Sequence, residues 1–204
     1  FLYNTFDTII WLAEEEKTED VVKITKAFSE FLRISLSRGH EWITIAQELD
    51  HIKNYLTIQK IRYADILNYE IAVDEEILDF KIIKLVLQPL VENAIYHGIK
   101  NKRGRGHLNV SAHFTDQTKS SIIFCVSDDG AGFTKERLNE VNRELENASI
   151  DSEQLSSVYG LYNVNKKLKL YYGKETEGLV IESEHKKGSK ISFIIPCKAG
   201  EENV

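Results

Sequence analysis

The stretch Leu87-Gln88-Pro89-Leu90-Val91-Glu92-Asn93-Ala94-Ile95-Tyr96-His97-Gly98 decides how this chain is read. It closes an apolar run (Ile82, Ile83, Leu85, Val86, Leu90, Val91, Ala94, Ile95) whose spacing predicts a core helix over residues 80–97. Glu92, Asn93 and His97 are set among those apolar positions, and Gly98 is the expected helix stop. Asn93 and His97 lie four apart, as do Glu92 and Tyr96, so each pair shares a helical face. Leaving such polar groups buried without partners costs about 1–3 kcal/mol each. A bound ion and a polyphosphate would satisfy them; in an ordinary helix, backbone groups or water would do so.

The bulk properties allow such a site. A chain of 204 residues with 42% hydrophobic and 28% charged residues has the balance of a globular protein with a real core. A net charge of −6 argues against nucleic acid as a partner, so a polyphosphate would need local cations or Mg²⁺. Cys125 and Cys197 each sit in an apolar run and read as reduced core residues; their spacing suits no metal motif. No apolar run reaches the length of a membrane span, and no signal peptide is visible. There is no methionine, even at position 1, so residue 1 is not expected to be a native start.

Outward from the central stretch, residues 1–38 read as two amphipathic helices. Leu2, Phe6, Ile9, Ile10 and Leu12 lie on one, and Val21, Ile24, Phe28, Phe31, Leu32 and Leu36 on the other, with Thr18 as N-cap of the second and Gly39 as its stop. Such a hairpin is expected to pack on a second copy as a four-helix bundle, or else on the rest of its own chain. Thr44 and Gln47 fit a capping box that opens a helix to about residue 63. Residues 66–73, 108–114, 121–127, 179–184 and 190–196 read as strands, and 134–145 and 160–172 as helices. The 100–106 segment is a basic, Gly-rich loop, either a plain turn or a phosphate contact, and 147–157 is polar and aperiodic, hence a flexible loop. His40 reads as a solvated loop residue. The predicted fold is α+β: a two-layer α/β sandwich with helices on one face of a mixed sheet, preceded by the helical hairpin.

Asp128-Asp129-Gly130-Ala131-Gly132 follows the strand expected at 121–127. A carboxylate held there by the sheet can accept a hydrogen bond from an exocyclic amine such as that of adenine. Gly130 and Gly132 allow close backbone approach to a flat ligand. On its own, Asp-Asp-Gly is equally a common turn. Tyr159-Gly160-Leu161 opens the last helix, whose N-terminal amides form an anion site, and Lys166 and Lys167 either add charge there or lie on a solvated face.

The three segments in this order resemble the N box and the two glycine boxes of the ATPase domain shared by sensor histidine kinases, gyrase-type topoisomerases, MutL and the Hsp90 chaperones. The wording of residues 87–98 is most similar to LytS/YehU-like sensor histidine kinases. The resemblance implies the GHKL (Bergerat) ATPase fold, with ATP and Mg²⁺ as ligands. It implies Asn93 as the Mg²⁺ ligand, Asp128 as the adenine-reading carboxylate, and Gly130, Gly132, Gly160 and Leu161 as close-approach positions. It also implies that His97 and Lys167 contact phosphate, while Glu92 either polarises an attacking imidazole or organises the metal shell. Two positions depart from the family: Val158 replaces the first glycine of the second box, and Tyr96 stands where a lysine is common. The topoisomerase-type ATPases carry a water-activating Glu four residues before the Asn; here that position is Pro89, which disfavours simple hydrolysis.

In LytS-like kinases the phosphoacceptor motif resembles Asn-Pro-His-Phe-(Leu/Ile)-(Phe/Tyr)-Asn, and this chain opens Phe1-Leu2-Tyr3-Asn4. The resemblance therefore places the acceptor histidine just upstream of residue 1, so none of His40, His51, His97, His107, His113 and His185 is the acceptor. It divides the chain into 1–38, the remainder of a dimerising phosphoacceptor hairpin, 39–199, the ATP-binding domain, and a tail, 200–204. The implied protein is the cytoplasmic catalytic part of a bacterial plasma-membrane sensor that forms a homodimer, phosphorylates its own histidine and passes the phosphoryl group to a response regulator receiver domain. Membrane contact would come only from segments outside this chain. Two other readings are a non-catalytic signalling module of the same fold and a protein serine kinase.

Overall fold

The computed structural model describes residues 1–36, 41–146 and 159–197. Gly39, His40, the 147–157 segment, Val158 and the 200–204 tail lie outside the described residues.

Two helices open the chain, α1 (Leu2–Glu14) and α2 (Thr18–Ser35). Thr18 is already the first helical residue; Lys17 holds the N-cap position and makes no side-chain cap, while Glu19 and Asp20 complement the helix dipole. The apolar face of α2, with Ile24, Ala27, Phe28 and Phe31 buried, finds its partner within the chain rather than requiring a second copy. It packs on α3 (Ile45–Arg62): Phe31 stacks on His51 with centroids 4.4 Å apart, and Phe1 reaches Tyr55 at 5.2 Å. A stripe of α1 at one-turn spacing, Leu2, Phe6 and Ile10, stays about half exposed, as does Trp11. The capping box forms as expected, with Gln47 N donating to Thr44 Oγ1 at 3.1 Å and Thr44 N to Gln47 Oε1 at 2.9 Å.

A small antiparallel pair, β1 (Trp42–Thr44) with β3 (Lys81–Ile83), stands apart from the main sheet. The main sheet has the order β2 (Leu67–Val73), β4 (Gly106–Phe114), β5 (Ser121–Asp128), β7 (Gly188–Pro196), β6 (Val180–Glu184). β2 and β4 run parallel and the remaining pairs antiparallel. On β5, Ile122, Phe124 and Val126 are buried beneath the helices, whereas Ile123, Cys125 and Ser127 point to the other face and are half-buried. Cys125 is thus not a core residue, although it is free like Cys197. The helical layer is completed by α4 (Leu87–Asn93), α5 (Lys135–Glu146) and α6 (Tyr159–Tyr172). This is the expected two-layer α+β sandwich. Among the described residues no helix is long and apolar enough to cross a membrane.

The helix expected over 80–97 does not form as one element. Near its start lies strand β3, and a turn follows in which Leu85 adopts the left-handed conformation (φ 61°). Helix α4 begins only at Leu87, gives way to a π-helical turn at Ala94–Gly98 and ends in a 3₁₀ turn at Ile99–Asn101. Gly98 therefore does not stop the helix. A fully buried strand and a buried helix are equally apolar, so the run could not separate them.

Because α2 buries Phe31 against α3, Phe31→Ala is expected to destabilise the protein by about 3 kcal/mol in urea denaturation. A change below about 1 kcal/mol would show that the hairpin does not rest on α3.

Candidate nucleotide site

Helix α4 and its π-helical turn form one wall of a cavity of about 210 Å³, and the start of α6 forms the other. The cavity is lined by Pro89, Glu92, Asn93, Tyr96, His97, Tyr159, Gly160 and Leu161. The structure thus brings together five of the residues singled out in the sequence: Glu92, Asn93, His97, Gly160 and Leu161. Asn93 is 7% exposed and lines the cavity. Glu92 accepts from Gln88 Nε2 at 2.9 Å. The hydroxyl of Tyr96 turns away to accept from Gln59 Nε2 at 3.3 Å, and Lys100 lies over its ring at 4.9 Å. Partial desolvation, and then the nearby charge of Arg137, push the His97 imidazole below its usual range. At neutral pH it is therefore a neutral donor and acceptor rather than a cation.

Asp128 ends β5 with the same parity as Phe124 and Val126, so its side chain faces the helices. It lies directly against Gly98: a Cβ on that glycine would fall 2.3 Å from Asp128 Oδ1. Gly130 closes on the same point, since a Cβ there would meet the Gly98 carbonyl carbon at 2.2 Å, and Ala131 N donates to Gly98 O at 3.1 Å. Gly98 is demanded by this contact, not by chain termination. Gly132 (φ 61°) turns the chain toward the β6–β7 turn, where a side chain would strike Glu184 O at 2.1 Å. Burial raises the Asp128 carboxyl to about 6, against hydrogen bonds such as that from Gly130 N at 2.8 Å. Its neighbour behaves oppositely. Desolvation works against Asp129 ionising, but Lys102 (2.9 Å) and the His107 N–H hold it below its usual value. Of the two aspartates, only Asp128 is turned toward the helices.

Lys167 is placed elsewhere. Its ammonium donates to Lys84 O at 2.5 Å, at the turn into α4, and Lys167 does not line the cavity. Three polar residues of α3 matter here: Glu48, which sequence reasoning passed over, and Tyr55 and Gln59, which it placed on the packed side of the helix without a role. Glu48, fully buried on α3, accepts from the N–H groups of Leu85, Val86 and Leu87 at 2.8–2.9 Å. Tyr55 and Gln59, one and two turns from His51 on α3, lie beneath Tyr96. The signal for Glu48 was available: it fills a slot of the apolar stripe Ile45, Leu49, Ile52.

No group of three or more His, Cys, Asp or Glu side chains among the described residues is placed to hold a metal. Mg²⁺ fits such a site, because it keeps waters and takes few protein oxygens when phosphates complete its shell. The Asn93 carboxamide and the Glu92 carboxylate, neighbours in the cavity lining, are a suitable oxygen donor set.

The folded Asp128 carboxyl keeps its proton up to about pH 6, whereas the usual aspartate value is 3.8. The folded state therefore binds the extra proton between these values, and stability falls as pH rises through that window. Asp128→Asn removes the effect. Its stability relative to wild type, from urea denaturation, is expected to rise between pH 4 and pH 7; a pH-independent difference would contradict the burial of this carboxyl.

Comparison with known proteins agrees with this geometry. Residues 79–199 match the family described as histidine kinase-, DNA gyrase B-, and HSP90-like ATPase, and residues 1–67 match the histidine kinase family. The chain is 32% identical over 198 residues to the sensor histidine kinase YesM of Bacillus subtilis, covering 97% of this chain and 31% of that protein. It is 32% identical over 206 residues to the sensor protein kinase HptS of Staphylococcus aureus, covering 100% and 37%. The chain thus spans about a third of the length of these curated relatives. In fold it is similar to the histidine kinase domain from the Erythrobacter litoralis EL346 blue-light activated histidine kinase (TM-score 0.54, 14% identity, 87% of this chain and 75% of that one). The buried Asn93 facing α6, the Asp128–Gly98 contact and the match over residues 79–199 lead to one conclusion: the chain belongs to the histidine kinase-, DNA gyrase B- and HSP90-like ATPase family.

Proposed function

We propose that this chain is the catalytic part of a two-component sensor histidine kinase. It binds ATP with Mg²⁺ and sets the γ-phosphoryl group for transfer to an imidazole nitrogen just upstream of Phe1. The observation that carries the reading is the convergence of Asn93, His97, Gly160 and Leu161 on one cavity, with Asp128 seated at the other side of Gly98.

In this reading the ionised Asp128 carboxylate accepts a hydrogen bond from the exocyclic amine of adenine, and the glycine contacts around it let the base approach the backbone. The N-terminal amides of α6 at Tyr159, Gly160 and Leu161 face the phosphates. Neutral His97 donates one hydrogen bond to a phosphate oxygen. Asn93 supplies a carboxamide oxygen to Mg²⁺, and Glu92 either polarises the attacking imidazole or orders the metal's waters. Mg²⁺, when bound, supplies the positive charge that offsets the phosphates and the charge developing on the leaving oxygen. The N–P bond forms as the bond to the β,γ-bridging oxygen breaks, ADP departs and the imidazole gives up its proton. The phosphoryl group then passes to an aspartate of a response regulator receiver domain. Pro89 offers no base for water, which supports transfer to a side chain over hydrolysis.

Residues 1–38 are then the remainder of the phosphoacceptor hairpin, 39–199 the ATP-binding domain and 200–204 a tail. The exposed α1 stripe of Leu2, Phe6 and Ile10 is the surface a second copy would cover, and the domain would act on the cytoplasmic side of a membrane sensor. A non-catalytic signalling module is favoured by one feature: among the described residues the cavity lining contains no lysine or arginine, while Glu92 adds negative charge.

That same feature makes affinity hinge on the metal. Calorimetric titration with a non-hydrolysable ATP analogue is expected to show affinity at least about tenfold weaker in EDTA than with Mg²⁺, a difference worth about 1.4 kcal/mol. Asn93→Ala should abolish that difference. No binding at millimolar nucleotide with Mg²⁺ would exclude the kinase reading and favour the signalling module.

A further inference from the structure

The turn that delivers the chain from β3 into α4 is pinned along its whole length. Ile83 N donates to Tyr172 Oη at 3.2 Å and Lys84 N to Glu41 O at 2.8 Å. Lys84 O accepts from Lys167 Nζ at 2.5 Å. The N–H groups of Leu85, Val86 and Leu87 all point to Glu48, at 2.8, 2.9 and 2.9 Å. Left-handed Leu85 is what turns three successive amides the same way, and a non-glycine residue holds that conformation only when its surroundings impose it.

Glu48 has no solvent exposure, and desolvation raises its carboxyl even though three amides and the charge of Lys167 favour the ionised form. Lys167 is therefore both the holder of Lys84 O and a counter-charge for Glu48. It lies seven residues after Gly160 on α6, two turns along, and so on the same helical face. At the far end of that face Gly160 abuts Pro89 of α4, where a Cβ would lie 3.4 Å from Pro89 Cβ. The two cavity walls meet at Gly160–Pro89 and are latched at Lys167–Lys84–Glu48.

We propose that Lys167 and Glu48 are positioning residues of the nucleotide cavity: they fix α4 against α6 and so set the spacing of Asn93 from Gly160, and Lys167 is not a phosphate ligand. This rests on the nucleotide reading of the cavity. The latch acts on the whole ligand equally, because it moves a wall rather than touching one phosphate.

The test is a double-mutant cycle with Lys167→Met, Glu48→Gln and the pair, titrated calorimetrically with Mg²⁺ and either ADP or a non-hydrolysable ATP analogue. Lys167→Met is expected to weaken both ligands by the same factor, about tenfold, and the double variant to bind no more weakly than the weaker single one. The proposal is overturned if Lys167→Met weakens the ATP analogue while sparing ADP, if the two substitutions multiply, or if Lys167→Met binds like wild type. If wild type binds neither ligand, the nucleotide reading itself fails. The latch is then decided by the same cycle in urea denaturation, where non-additive losses support it and additive losses overturn it.

Discussion

The Glu48 carboxylate is the constraint on which the site depends. It sits on a helix made rigid by a capping box, inside the core, and takes the three amides of the turn into α4. Burying a carboxylate is unfavourable unless charge and hydrogen bonds compensate, and here three successive amides and the charge of Lys167 do so. It forces Leu85 into a left-handed conformation and starts α4 at Leu87. From that start, Asn93 falls on the face opposite Gly160, and the π-helical turn at Ala94–Gly98 brings Gly98 to Asp128. A π-helical turn is uncommon and tends to occur at functional sites, where it re-aims side chains that an α-helix would place elsewhere.

Steric and electrostatic effects divide the work around the site. Glycines 98, 130 and 132 leave no room for side chains between strand β5, the π-helical turn and the β6–β7 turn, so Asp128 is gripped by backbone. That grip excludes water and raises the carboxyl, whereas exposed Asp129 stays with Lys102. Among the described residues the cavity lining has no lysine or arginine: Lys167 is engaged by Lys84 O, and Arg137 acts on His97 only from outside the lining. In the proposed reading, a polyanion would arrive there with its own Mg²⁺, which takes few protein oxygens when phosphates and waters complete its shell. Placing the family's chemistry in a chain of net charge −6 is then no paradox.

Much of the fold was legible in the sequence because its signals are local. The Thr44–Gln47 box and the alternation along residues 67–73 and 121–128 each have a short-range cause. Asn93, Asp128 and Gly160 were singled out by their motif rather than by periodicity, and the structure places Asn93 and Gly160 on one cavity. What escaped has long-range causes. Strand β3 looks helical until Trp42–Thr44, on the far side of α3 and β2 in the chain, is there to pair with it. The α2 stripe was open to a second copy or to the rest of its own chain, because nothing local shows that α3 offers Phe31 a ring to stack on. Nothing local to Lys167 shows that its ammonium meets Lys84 O, far away in sequence. Glu48 itself looks like one more surface glutamate unless its place in an apolar stripe is weighed.

If α4, the π-helical turn, the end of β5 and the start of α6 form one nucleotide site, a bound nucleotide must perturb all four together. The most direct measurement is a chemical-shift map of isotope-labelled protein titrated with a non-hydrolysable ATP analogue and Mg²⁺. The large perturbations are expected to gather at Glu92–His97, Asp128–Gly132 and Gly160–Leu161. Perturbations centred on the uncovered face of the sheet around Cys125 and Ile194, or none at saturating ligand, would contradict a single site of this kind.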